Sequence, residues 1–178
     1  RMSKRSGIYV TIDELIDEVG LDAARFFFLA RSLESHMNFD LDLAKEHSEK
    51  NPVYYVQYAT ARCVSILRKS QIQNHKSQTN SKFIIQNSKL ESAEIALLKQ
   101  LVRLPDIVAD ISQDYQVQKL PFYSIDLATA FHNFYEKCRV IDKDNVNQTA
   151  WRLQLVQATQ IVLKNTLGLM GVSAPEKM

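Results

Sequence analysis

The sequence predicts an all-α protein, an antiparallel helical bundle preceded by a small helical connector. Three observations carry that prediction. Glycine and proline are scarce, with four of each among 178 residues, which argues against a fold of tight turns and for long helices. Apolar residues recur at helical rather than alternating spacing. Several segments also open on side chains that cap helices.

The elements follow in order. Thr11-Ile12-Asp13-Glu14 has the spacing of a capping box, so a helix should run from about Ile12 to Val19, with Gly20 as its left-handed stop. Asp22 is expected to cap a second helix, Ala23 to about Arg31, whose run Phe26-Phe27-Phe28-Leu29 predicts packing on both sides. Ser32 to Leu41 reads as a connecting segment, and Asp40 starts another helix through about Ser48. Asn51-Pro52 combines a side-chain cap with Pro in the first turn. The helix after it, Val53 to about Ser70, turns Val53, Val56, Ala59 or Tyr58, Cys63, Ile66 and Leu67 toward a core.

Gln71 to Lys89 is polar apart from Phe83-Ile84-Ile85 and reads as a long loop or a weakly ordered insertion. Helices are then expected from Glu91 to about Arg103 and from Pro105 to about Tyr115, the second with Ile107, Val108 and Ile111 inward. Gln116 to Lys119 is a turn. Pro121 starts a helix to about Val140 carrying Leu127, Ala130, Phe131, Phe134 and Cys138. A last helix, Thr149 to about Met170, should line its inner side with Trp151, Leu155, Ala158 and Val162 before Gly171 ends it. The bundle therefore occupies residues 51–178 and the connector residues 1–50.

Composition narrows the function. Hydrophobic content of 46% and charged content of 24% are those of a globular protein. A net charge of +2 permits nucleic-acid binding without demanding it. Cys63 and Cys138 read as buried free thiols of a reducing compartment. The histidines and cysteines lack metal-ligand spacing, no Walker or Rossmann phosphate loop occurs, and no apolar run is long enough to span a membrane. A cytoplasmic protein with no membrane partner is expected.

Arg1-Met2-Ser3-Lys4-Arg5-Ser6-Gly7 gathers three cations, two hydroxyls and a glycine without an acid. Such a segment can wrap a polyphosphate, with charge from Lys and Arg, hydroxyl donors from Ser, and close backbone approach at Gly. By itself it also reads as an exposed terminus. Lacking an initiator Met, the chain is expected to be a piece of a longer protein.

The loop resembles the K-M-S-K-S motif of class I aminoacyl-tRNA synthetases, with Met2, Ser3 and Lys4 matching and Arg1 standing for the first Lys. Further blocks extend the resemblance: Thr11 to Gly20, Asp22 to Leu29, Phe39 to Ala44, Asn51 to Ala59, and Leu167 to Val172 with the terminal Met178. Their order and spacing resemble the C-terminal part of bacterial arginyl-tRNA synthetases. That resemblance implies a bundle of the class I anticodon-binding type. It implies arginine–tRNA ligase activity in the whole protein, with ATP and Mg2+ as substrate, and tRNA(Arg) and arginine as partners. No bound cofactor and a monomer are expected. This stretch, without the H-I-G-H motif, should be inactive alone.

By the same resemblance Lys4 stabilises the departing pyrophosphate, with Ser3 and Arg1 as supporting donors in the loop Arg1 to Gly7. Tyr135 and Arg139, one helical turn apart, lie on the anticodon face, and Met178 closes it. Core packing is the other reading of Tyr135. For Tyr54, Tyr55 and Tyr58 packing between connector and bundle is expected, with contact to the tRNA stem as the other reading; for Arg25 a structural pairing is expected, for Trp151 a core position, and for Arg68 and Lys69 a helix end. The rival reading is a non-catalytic helical tRNA-binding or interaction module derived from such an enzyme.

Overall fold

The computed structural model describes residues 11–32, 34–74 and 90–178, and every regular element among them is helical. The loop Arg1 to Gly7 and most of the polar segment Gln71 to Lys89 lie outside the described residues. Three short helices form the connector: α1 (Ile12–Val19), α2 (Leu21–Leu29) and α3 (Leu41–Lys45). Five more follow: α4 (Pro52–Asn74), α5 (Ser92–Leu101), α6 (Leu104–Asp114), α7 (Lys119–Lys137) and α8 (Val146–Leu169).

Local chemistry explains the starts. Glu14 N donates to Thr11 Oγ1 at 3.2 Å while Thr11 N donates to Glu14 Oε2 at 2.8 Å, which is the reciprocal capping box. Asn51 accepts from Val53 N at 3.0 Å through Oδ1, and its Nδ2 donates to the carbonyls of Ala44 and Glu46, each at 3.0 Å. One buried amide thus caps α4 and ties it to the end of the connector.

Helices α4, α5, α7 and α8 pack on one another, α6 rests on α7, and α2 leans on α4 and α7. Phe26, Val56, Leu97, Leu127, Phe131, Phe134, Val156, Leu163 and Leu167 are fully buried between them. Each such side chain contributes about 1.5–3 kcal/mol relative to exposure.

Several expectations are corrected. Asp22 does not cap α2. Gly20, at φ +84°, forms the hinge between α1 and α2, and its N–H closes α1 on Ile16 O at 2.8 Å. Helix α3 ends at Lys45 rather than Ser48, because Glu46 turns extended. Helix α4 continues to Asn74, so Arg68 and Lys69 sit inside it rather than at its end. On α2, Phe28 is exposed, and it and Phe27 meet Phe39 at 5.9 and 5.4 Å between ring centres. Val108 of α6 faces solvent, and no residue of that helix is fully buried.

Helix α8 meets its predicted face only in part, with Leu155 buried and Trp151, Ala158 and Val162 at the margin of the core. Its buried residues are Arg152, Leu155, Val156, Thr159, Leu163, Thr166 and Leu167, with Trp151, Ala158 and Val162 only half-buried. The threonines enter the core because their hydroxyls donate back to the carbonyls of Leu155 and Val162, at 2.7 and 2.8 Å.

After α8 the chain reverses at Gly171, φ +65°, with Val172 N bonded to Leu167 O at 2.9 Å. This turn holds the connector. Arg25 Nη1 donates to Gly171 O at 2.5 Å, so its structural partner is a carbonyl rather than an acid. Asp22 accepts from Ser173 N at 3.0 Å, from the Ser173 hydroxyl, and from Gln57 Nε2 at 2.9 Å.

Candidate nucleic-acid interface

Beyond Ser173 the tail crosses to α4, where Glu176 pairs with Arg68. It encloses an open groove of about 850 Å³ against α4, the end of α7 and residues 138–141. Tyr135, Arg139 and Met178, nominated from the sequence, all line this groove. Tyr135 and Met178 are partly exposed, so core packing does not account for Tyr135.

The centre of the groove was not anticipated. Arg62 of α4 lies over two aromatic rings, its guanidinium carbon 4.8 Å from the centre of the Tyr58 ring and 4.7 Å from that of Tyr135. Its Nη2 also donates to the Tyr58 hydroxyl at 2.7 Å. Such cation–π contacts contribute about 0.5–2 kcal/mol each, depending on desolvation. They hold Arg62 as a planar donor against the two rings. The signal was present in the spacing: Tyr54, Tyr58 and Arg62 recur every four residues and share one face of α4. The pairing with Tyr135 was not legible, because it joins residues 73 positions apart.

The tyrosines divide the expected packing role. Tyr54 meets His47 of the connector at 5.8 Å and stacks on Tyr58 at 6.2 Å, 6° from parallel. Tyr55 packs on His132 at 4.7 Å. Tyr58 reaches the groove. His132 is enclosed by Tyr55, Tyr58 and Phe131, and its Nε2 finds no partner among the described residues. Burial, followed by the charge of Arg62, holds its imidazole below the ordinary pKa of 6.5. The His132 ring stacks on Tyr58, over which Arg62 also lies. Cys138, on the groove floor, is held as a thiol by burial, and burial likewise raises the pKa of the free Cys63 in the core.

Charge in the groove is one-sided. Arg62, Arg68, Lys69, Arg139 and Lys177 line it, with Glu176 as the one acid among the described lining residues. Arg139 is largely exposed, with Asp142 at 3.9 Å. Its backbone is held more firmly than its side chain, since Arg152 Nη1 donates to Arg139 O at 3.0 Å. Arg152 is in turn bound by Glu94 Oε1 at 2.8 Å. Planar cations, aromatic faces and open access suit unstacked bases and their phosphates.

An all-helical bundle with a connector at its head and an open cationic, aromatic groove defines the class of helical anticodon-binding domains. Residues 56–178 match the model of the DALR anticodon binding domain, and the chain belongs to that family. Over its full length it is 48% identical to a protein of Dehalococcoides mccartyi and 46% identical to one of Symbiobacterium thermophilum, both named arginine–tRNA ligase. It spans only about a third of those relatives, 31% and 32% of their length. Among solved structures it resembles an arginyl-tRNA synthetase of Plasmodium falciparum, with TM-score 0.72 and 30% identity over 95% of this chain and 29% of that one. An arginyl-tRNA synthetase of Thermus thermophilus superposes with TM-score 0.70 and 26% identity, over 98% of this chain and 29% of that one.

Proposed function

We propose that the groove reads the unstacked anticodon bases of tRNA(Arg), as part of an arginyl-tRNA synthetase that joins arginine to its tRNA with ATP. The observation that carries this reading is Arg62, held against the Tyr58 and Tyr135 rings in a groove that Arg139 and Met178 also line. A base entering there gains stacking from the rings and hydrogen bonds from the guanidinium edge. The surrounding cations meet its phosphates.

Stacking of one base contributes about 1–3 kcal/mol. Arg62→Ala and Tyr135→Ala are therefore each expected to weaken binding of a tRNA(Arg) transcript by about tenfold, and Tyr135→Ala with Met178 deleted by more. Filter binding at fixed salt checks this, and wild-type affinity in all three variants would remove the groove from the reading.

The segment Arg1 to Gly7 serves the chemical step in this reading. Attack on the α-phosphate of Mg2+-bound ATP builds negative charge on the departing pyrophosphate, which Lys4, supported by Ser3 and Arg1, stabilises more in the transition state than in the ground state. The substrate carboxylate is already ionised, so no general base is required. Lys4→Ala in the complete enzyme is expected to slow arginine-dependent pyrophosphate exchange by about a hundredfold or more, with tRNA binding unchanged. An unaltered exchange rate rules the role out. In this reading the protein acts as a cytoplasmic monomer, without a membrane partner.

A further inference from the structure

Arg152 and Glu94 form a pair withdrawn from water, with side-chain exposures of 7% and 2%. Desolvating two such charges costs several kcal/mol each, and an apolar pair of similar volume would commonly serve stability as well or better. What the charged pair supplies is direction. A guanidinium is a rigid planar fork, and here its two edges are committed to different elements. Nε donates to Glu94 Oε1 at 2.8 Å, on α5, while Nη1 donates to Arg139 O at 3.0 Å, just past α7. Glu94 is itself fixed, because its other oxygen accepts from Glu91 N at 2.7 Å in the capping box of α5.

The carbonyl of Arg139 needs such a partner. The helix ends at Lys137, and Cys138 turns extended at φ −118° and ψ 122°. The chain then leaves α7 at the point where it becomes the groove wall. Val140 is buried on the inner side, and the Arg139 side chain stands outward from that backbone.

We propose that Arg152, aligned by Glu94, is a positioning residue for the groove. It fixes the wall at residues 138–141 from behind, and it acts on bound RNA only through Arg139. The inference rests on the reading of the groove as an RNA site. Arg152 touches no bound base. Its influence is geometric, since it sets where the Arg139 side chain starts.

The test is a double-mutant cycle on the 178-residue chain with a tRNA(Arg) transcript as probe. Arg152→Lys keeps the charge but replaces the fork with three donors radiating from one atom, which do not reproduce the separate Nε and Nη1 positions that the two partners use. It is expected to weaken binding by about fivefold in the wild-type background and by less than about twofold beside Arg139→Ala. Beside Arg62→Ala, on α4 at the groove centre, its full effect should persist. Circular dichroism confirms folding at the assay temperature, and Glu94→Gln takes the place of Arg152→Lys should that variant unfold. A loss of the same size in the Arg139→Ala background, or no loss at all, overturns the positioning role. If Arg62→Ala and Tyr135→Ala also bind as wild type, the groove itself is misread and the inference falls with it.

Discussion

The two sides of the groove are held by ion pairs that have little in common except their charge. Behind residues 138–141, Glu94 and Arg152 are nearly sealed from water and bonded on several edges. On the tail side, Arg68 and Glu176 meet in solvent, with side-chain exposures of 48% and 67%. A buried pair cannot exchange its partner for water without a large penalty, whereas an exposed pair does so readily. The groove therefore has one wall set by the bundle interior and one that can yield. A ligand entering it would meet Arg139 on a fixed backbone and Met178 on an adjustable one.

The largest effect expected from this contrast is on the rigid wall. Arg152→Ala leaves Glu94 buried without its cation and the Arg139 carbonyl without its donor. Removing one member of a buried pair costs about 3–5 kcal/mol, which corresponds to a fall of roughly 10 °C in melting temperature for a chain of this size. Calorimetric or circular-dichroism melts measure it. Glu94→Ala combined with Arg152→Ala should cost less than the sum of the single losses, because the second change relieves the orphan left by the first. Additive losses would mean that the two residues do not act as a unit.

The same contrast explains what was legible in the sequence. Helix starts were readable, because a capping box at Thr11 or Asn51-Pro52 is a statement about adjacent residues. The inner face of α8 was readable only in part. Arg152, Thr159 and Thr166 are polar, and only their bonds to distant or i−4 carbonyls make them interior residues. A pattern built on apolar side chains finds Leu155 and the margin at Trp151, Ala158 and Val162, and misses the polar residues among them. Asp22 looked like a cap, yet its carboxylate is used by Ser173 and Gln57, and that geometry exists only once the tail has folded back. Tyr135, Arg139 and Met178 were nominated through family resemblance, and the fold gathers them on one groove. Arg62 was overlooked, because its environment is made by the approach of α4 to α7.

The smallest effect belongs to the yielding wall, and there the prediction is a near absence of change. Glu176→Gln keeps the length and the hydrogen-bonding capacity of the side chain but removes its charge from Arg68. Exposed ion pairs contribute about 0–1 kcal/mol, so the loss in unfolding free energy should stay within that range. It should also shrink with salt, because the screening length falls from about 8 Å at physiological ionic strength to about 3 Å at 1 M. Denaturant melts of wild type and variant at both ionic strengths test this. A loss above about 2 kcal/mol, well beyond what an exposed pair supplies, or one indifferent to salt, would show that the tail is held as firmly as the wall behind Arg139. In that case the distinction between a fixed and an adjustable side of the groove would not stand. With a small, screened loss, the hold on Met178 comes from the backbone turn at Gly171 and the bonds around Ser173 rather than from Glu176. Those bonds also anchor α2, so the placement of the connector and the closing of the groove are then consequences of one turn.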